Sequence, residues 1–446
     1  MRNIKKTMYG NRIECVLFLL TIIIFTAFGA FQFPILRDHG IYSYISQELT
    51  RGNPVYSTAP DIKGPFLYMV DAFWMMIFWF MPNWVAIRIG MLIMSGLTMV
   101  FFYKTLFRMF GNKTMPLFST IILMSFAFFA EYFVLGDPKG IALFLLMAGL
   151  YSLFSGKHLL SGISFGLMPM TWQPTGIFLL APLIYFYLDG FDRKKTFYLF
   201  AGIALSVSFV GAHFIFTNTL PNMIEFAVLL PLEYKSGVYF KDTLIAIFNI
   251  IACYNTEIIF LAIGSLGTIY YVAKGARLLV MKRMEYAKSN KMLFAMILPY
   301  IFFSTYILAD MQIADDIILQ LAPISMVCGH IFYKAFIRLS FKMEKINIMF
   351  LKNSNAALIM ITLMISAYSF YPALQPVYPE NYIVTYAKNI EGKVAPIQIP
   401  LMTIEKYGIV DCIYRQCLEE FGKLEISQLN EKHQTRIIEP FLLTWG

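Results

Sequence analysis

The residues in this chain most able to do chemistry gather soon after its first apolar run. Arg37-Asp38-His39-Gly40 is followed by Tyr42, then by ELTRGNPVY with Glu48, Arg51 and Tyr56, and by DIKGPFLY with Asp61 and Lys63. Further along, LGDPKG supplies Asp137 and Lys139, and WQPTG supplies Gln173. A carboxylate can accept a proton from an attacking hydroxyl or amine, and lysine or arginine can hold a phosphate. Each residue also has a plainer role. Asp38 can cap a helix end at an interface, Asp137 can be the N-cap ahead of Pro138 at a first helical turn, and His39 can be an interfacial polar neighbour. What sets them apart is convergence, because helix ends on one face of a bundle can surround a single cavity. His158, His213, His330 and His433 are scattered and have no metal-ligand spacing.

The elements that must position these groups are membrane helices. Hydrophobic residues make up 58% of the 446 and charged residues only 14%, which excludes an ordinary soluble globule. The apolar runs approach the roughly 20 residues that cross a hydrocarbon core, so the chain reads as a helical bundle and not as a barrel. Its net charge of +9 comes from short Lys/Arg clusters between apolar runs. That is a topology signal and points to no nucleic-acid partner.

Arg2, Lys5, Lys6 and Arg12 put the N-terminus in the cytoplasm, ahead of an apolar anchor over 14–33. Lys104, Arg108 and Lys113, then Lys157 and His158, mark inner links among spans at 84–103, 115–135, 141–155 and 159–171. The next apolar run is broken at Trp172-Gln173-Pro174-Thr175-Gly176 and ends at Asp192 to Lys195. Beyond it come a span at 196–216, an outer loop from 217 to 242 and an apolar region to 273. A basic inner loop from Lys274 to Lys291 leads to spans at 292–308 and 317–336, with Asp310, Asp315 and Asp316 at the outer turn between them. After a basic link to Lys352, a last span covers 356–374. The reading is an all-α polytopic membrane protein of about eleven spans.

Residues 66–81 are short for a crossing and carry Asp71, so they read as a helix at the outer interface. The membrane domain is then 1–374, with a first outer loop at 34–83 that contains interfacial helices. Residues 375–446 form a small extracytoplasmic α/β tail, where Cys412 and Cys417 can pair in an oxidising compartment.

The order Asp38-His39-Gly40, Tyr42, Leu49-x-x-Gly52-x-Pro54-x-Tyr56 and Asp61-x-Lys63-Gly64-Pro65 resembles the first outer loop of GT-C membrane glycosyltransferases. The similarity is to the branch of protein O-mannosyltransferases and aminoarabinose transferases. LGDPKG resembles that branch's second acidic site, and GLMPMTWQPTGIFLLAP its broken-helix segment. The resemblance implies a GT-C-like bundle in the cell membrane that takes a sugar from a polyprenyl-phosphate donor at the outer face. It makes Asp38 the base, Lys63 or Arg51 the phosphate ligand, and His39, Tyr42, Tyr56, Asp61, Asp137, Lys139 and Gln173 further substrate-binding residues. The acceptor can be protein, lipid or polysaccharide. A phosphate leaves as a stable anion and needs no general acid, unlike the leaving group of ordinary glycosidases. A divalent cation, magnesium or manganese, is an open option with Asp38 and Asp137 as candidate ligands.

Three positions depart from the pattern. His39 stands where a second acid is common, Gln173 where the aminoarabinose branch carries lysine, and Asp315-Asp316 where a late outer turn often has His-Tyr. These changes point away from lipid A modification and leave the reaction class in place. The competing classes are a multi-pass transporter, which more often shows two related halves and midplane ionisable groups, and a lipid-translocation subunit, which would not require Asp38.

Overall fold

The computed structural model describes residues 12–27, 30–31, 37–233, 258–310 and 314–343, and among these every regular element is helical. Helix α1 (Arg12–Ala27) leads into a first loop that is itself largely helix, α2 (Arg37–Thr50) and α3 (Pro65–Ile77). Pro65 occupies the start of α3, where its fixed φ suits a helix and its missing N–H is not needed. The 13 residues of α3 rise only about 20 Å, short of the ~30 Å hydrocarbon core. Helix α3 falls on the stretch 66–81 expected at the outer interface. Phe73, Met76 and Ile77 of α3 are exposed, as are Trp79 and Phe80 just after it.

Helix α4 (Asn83–Phe110) is the long central element, stopped by Gly111 in the left-handed conformation at φ 70°. The span expected over 115–135 is divided into α5 (Thr114–Met124) and α6 (Ala127–Val134). The break falls at Ser125, whose hydroxyl donates to the Ile122 carbonyl at 2.7 Å.

Helices α7 (Pro138–Phe154) and α8 (His158–Leu167) follow, then a 3₁₀ turn at Gln173–Leu179, α9 (Leu180–Asp189) and α10 (Arg193–Phe216). Asp192 caps α10 by accepting from the backbone N–H groups of Lys194 and Lys195.

The outer loop expected over 217–242 is helical from Leu220 as far as it is described. It runs through α11 (Leu220–Ile224), a π-helical turn at Glu225–Leu229 and α12 (Leu230–Glu233). The basic inner loop expected from Lys274 to Lys291 is also helical. Helix α13 (Ile258–Ser289) runs through it and turns at Asn290 into α14 (Lys291–Asp310). Lysine and arginine are good helix formers, so a basic run marks a side of the membrane without ending a helix. A 3₁₀ turn at Ala314–Gln320 opens α15 (Leu321–Met343), which likewise passes the expected end at 336. The expected span 356–374 and the tail with Cys412 and Cys417 lie outside the described residues.

Among the described residues, three stretches are long and apolar enough to cross a membrane unaided: Asn83–Phe110, Arg193–Phe216 and Asp316–Ala335. The shorter apolar helices pack around them. Helices α8 and α10 lie close enough that a Cβ on Gly162 would stand 2.1 Å from the Leu199 carbonyl oxygen, and one on Gly202 2.2 Å from that of Leu159. Gly162 with Gly166, and Gly202 with Ser206, repeat small residues every fourth position. That spacing lets two backbones touch where lipid offers no hydrophobic driving force.

Candidate active site

The loop between α2 and α3 is stitched onto the broken-helix segment. The Gly64 amide donates to the Thr171 carbonyl at 3.2 Å and the Phe66 amide to that of Met170 at 2.9 Å. Only glycine fits at 64, because a Cβ there would stand 2.1 Å from the Met170 oxygen. The Gln173 carboxamide nitrogen donates to the Ile62 carbonyl at 2.7 Å and to the Ala227 carbonyl at 3.0 Å. Gln173 is therefore bonded to backbone rather than presented as an open ligand.

Tyr56 is buried in the left-handed region at φ 65°, a conformation that costs a bulky residue about 1–3 kcal/mol and survives only where neighbours enforce it. Here its hydroxyl donates to the Lys63 carbonyl. Its ring stacks on Phe214 at 6.0 Å, lies 5.9 Å from Phe226 and meets Tyr68 edge-on at 5.8 Å. Burial first, then the Asp61 charge, push its phenol well above the usual value, so it stays a donor. Tyr56 supports the loop that carries Lys63.

Asp61 accepts from the Tyr68 hydroxyl at 2.5 Å and from the Ile62 amide at 2.7 Å. Burial raises its pKa, Lys63 and the Tyr68 hydroxyl pull it back, and the charge of Asp38 pushes it up again. Asp38 is exposed on the first turn of α2. The two first-loop acids thus share one electrostatic neighbourhood with Lys63. Tyr42 is buried between His39 and Tyr68, with ring centroids 5.8 and 6.3 Å away.

On the other side, Asp137 takes the N-cap position expected ahead of Pro138. One oxygen caps α7, accepting from the Lys139 amide at 2.8 Å. The other lies 3.7 Å from His39 Nε2, with both side chains buried. Burial works to raise the Asp137 carboxyl, but Lys139 and His39 outweigh it and hold it down at about 2.

Lys139 pairs with Asp316 at 2.8 Å, both nearly enclosed, and its ammonium lies 5.3 Å from the centre of the Trp172 ring. Arg51 is drawn away from the cluster, pairing with Glu48 at 2.6 Å, while Asn53 holds the other Glu48 oxygen at 2.6 Å.

The structure thus brings Asp38, His39, Tyr42, Tyr56, Asp61, Lys63, Asp137 and Lys139 into one region, with Gln173 behind it and Arg51 at its edge. It adds Tyr68, Trp172 and Asp316. Tyr68 had a faint signal as the tyrosine of DIKGPFLY. Asp316 was visible as an acidic turn, but its pairing with Lys139 spans the fold and no spacing announces it. Among the described residues, no group of three His, Cys, Asp or Glu side chains comes together to hold a metal. The oxygens of Asp137 are already directed at a helix N-terminus and an imidazole.

The chain, a helical bundle whose first loop folds back on a broken helix, shares its fold with solved membrane-enzyme structures. It superimposes on ArnT from Cupriavidus metallidurans, solved bound to undecaprenyl phosphate, with a TM-score of 0.51 at 11% identity, covering 96% of this chain and 76% of that one. It superimposes on the Archaeoglobus fulgidus oligosaccharyltransferase in its apo form with a TM-score of 0.50 at 12% identity, covering 83% of this chain and 57% of that one. The chain thus spans little more than half of the oligosaccharyltransferase. At these identities the likeness establishes the fold. No family model and no curated protein matches the sequence.

Proposed function

We propose that this chain is an integral membrane glycosyltransferase that moves a sugar from a polyprenyl-phosphate donor to a hydroxyl or amine acceptor on the outer side of the membrane. The observation that carries the reading is the gathering of Asp38, His39, Asp61 and Lys63 from the first loop opposite Asp137. It does so within a fold shared with a structure that holds undecaprenyl phosphate.

In this mechanism the acceptor oxygen or nitrogen attacks the anomeric carbon while the bond from that carbon to the phosphate oxygen breaks. Asp38 takes the acceptor's proton, and the configuration inverts. The polyprenyl phosphate leaves as an anion that Lys63 stabilises through its developing charge. Asp61, Asp137 and His39 bind hydroxyls of sugar or acceptor against the Tyr42 ring. Lys139 and Arg51 meet carboxylates of the protein, so phosphate recognition falls to Lys63. The N-terminus is cytoplasmic and the acceptor is protein, lipid or polysaccharide.

The reading is tested by offering membranes that contain the protein a panel of sugar-charged polyprenyl phosphates. Transfer of label to an envelope acceptor, with release of polyprenyl phosphate, is expected. Neither release nor transfer across the panel would overturn it.

A further inference from the structure

Gln173 belongs to the substrate-binding set by resemblance, yet its geometry gives it another task. Its nitrogen meets two carbonyl oxygens, those of Ile62 and Ala227, which lie 111 and 54 residues away in sequence. Both partners can only accept, so the amide orientation is fixed and its two N–H bonds are committed.

Ile62 sits between Asp61 and Lys63, the acid and the cation of the first loop. The same short stretch is held by Tyr68 on Asp61, by Tyr56 on the Lys63 carbonyl and by the Gly64 and Phe66 amides on the broken helix. Ala227 belongs to the π-helical turn at Glu225–Leu229, whose Phe226 lies against Tyr56. Asn222, one turn earlier, reaches the Tyr56 carbonyl at 3.5 Å. One side chain therefore ties together the first loop, the broken helix and the outer helical segment.

We infer that Gln173 is a positioning residue for lipid-phosphate recognition, acting through the Ile62 carbonyl on Lys63 without itself touching the substrate. The inference rests on the proposed transfer from a polyprenyl phosphate. Without the two bonds, the Ile62–Gly64 backbone gains freedom and Lys63 loses its fixed aim. Gln173→Ala removes both bonds at once and is expected to weaken phosphate binding roughly tenfold. Gln173→Lys keeps a donor group for the two carbonyls. Gln173→Glu at neutral pH offers only acceptors to two carbonyl oxygens and is expected to be at least as damaging as alanine.

The test uses the full-length protein in lipid nanodiscs, with undecaprenyl phosphate as the probe. Its dissociation constant is measured for wild type and the three variants, together with amide hydrogen exchange at Ile62, Gly64 and Phe66. Weaker binding and faster exchange in the alanine variant, with protection restored by lysine, support the inference. Restoration is judged from exchange, because an added ammonium attracts phosphate by itself.

Weaker binding with unchanged exchange would mean direct contact, and unchanged binding would mean no role. Either overturns the inference. If the alanine variant does not fold, the glutamate and lysine variants carry the same comparison. Failure of wild type to bind the probe, with exchange still altered by the variants, overturns the lipid-phosphate reading while leaving Gln173 as the tie of the loop.

Discussion

Breaking the Lys139–Asp316 pair is expected to cost more than any other single ionic change in the described part of the protein. Lys139 lies on the first turn of α7, where the helix dipole disfavours a cation. It is held there by Asp316 at 2.8 Å, with side-chain exposures of 8% and 12%. At an effective dielectric constant near 20, unit charges at that distance attract by about 6 kcal/mol, and much of this offsets the desolvation of both groups. Asp316→Asn leaves the ammonium enclosed with the Trp172 face and weaker partners. Removing one member of a buried pair costs about 3–5 kcal/mol, whereas replacing both with apolar residues of similar volume is close to neutral.

Thermal unfolding in detergent, followed by tryptophan fluorescence, should therefore show large falls for Asp316→Asn and Lys139→Met. The double variant K139M/D316L should recover most of the loss, with a coupling of about 3 kcal/mol in the cycle. Near-additive effects, or single variants indistinguishable from wild type, would refute the assignment of Lys139 to Asp316.

Other outcomes follow from the same geometry. Asp137 is held at about 2 against an ordinary 3.8, so its stabilising contribution is fully present above the ordinary value and is lost as pH falls through about 2. The shift is worth roughly 2 kcal/mol. Acid titration of the thermal midpoint should show this loss below pH 4, and Asp137→Asn should flatten it. Gly162→Leu would drive a side chain into the Leu199 carbonyl of α10 and is expected to cost about 2 kcal/mol or more by overpacking, read as a fall in the folded yield after detergent extraction. Cysteines placed at the exposed positions Lys113 and Lys157 should resist an impermeant thiol reagent in intact cells, while one at Ser57 should react. A reversed pattern would invert the topology.

The site was legible where its groups lie close in sequence. DHG, GNPVY, DIKGP and LGDPKG each carry local chemistry, and their order pointed to the fold before any contact was known. The break at Ser125 was not legible, because apolar residues run on both sides of it. The basic segment of α13 is helical where the charges suggest a loop, because charge marks sidedness while propensity sets the helix. Roles were harder than positions. Arg51, Gln173 and Lys139 have the side chains of substrate ligands, but each is engaged by a partner within the protein, Arg51 by Glu48 at i,i+3 spacing. Two of those partners, Ile62 and Asp316, are far from Gln173 and Lys139 along the chain.

The central claim is transfer of a sugar from a polyprenyl phosphate with Asp38 as the proton acceptor. It is tested most directly by following label from a sugar-charged polyprenyl phosphate into acceptor with purified wild type and Asp38→Asn, each first shown to be folded and to bind undecaprenyl phosphate. The account predicts transfer by wild type and a loss of about a hundredfold or more in the variant, the scale of a general base, with binding retained. Undiminished transfer by Asp38→Asn would contradict it.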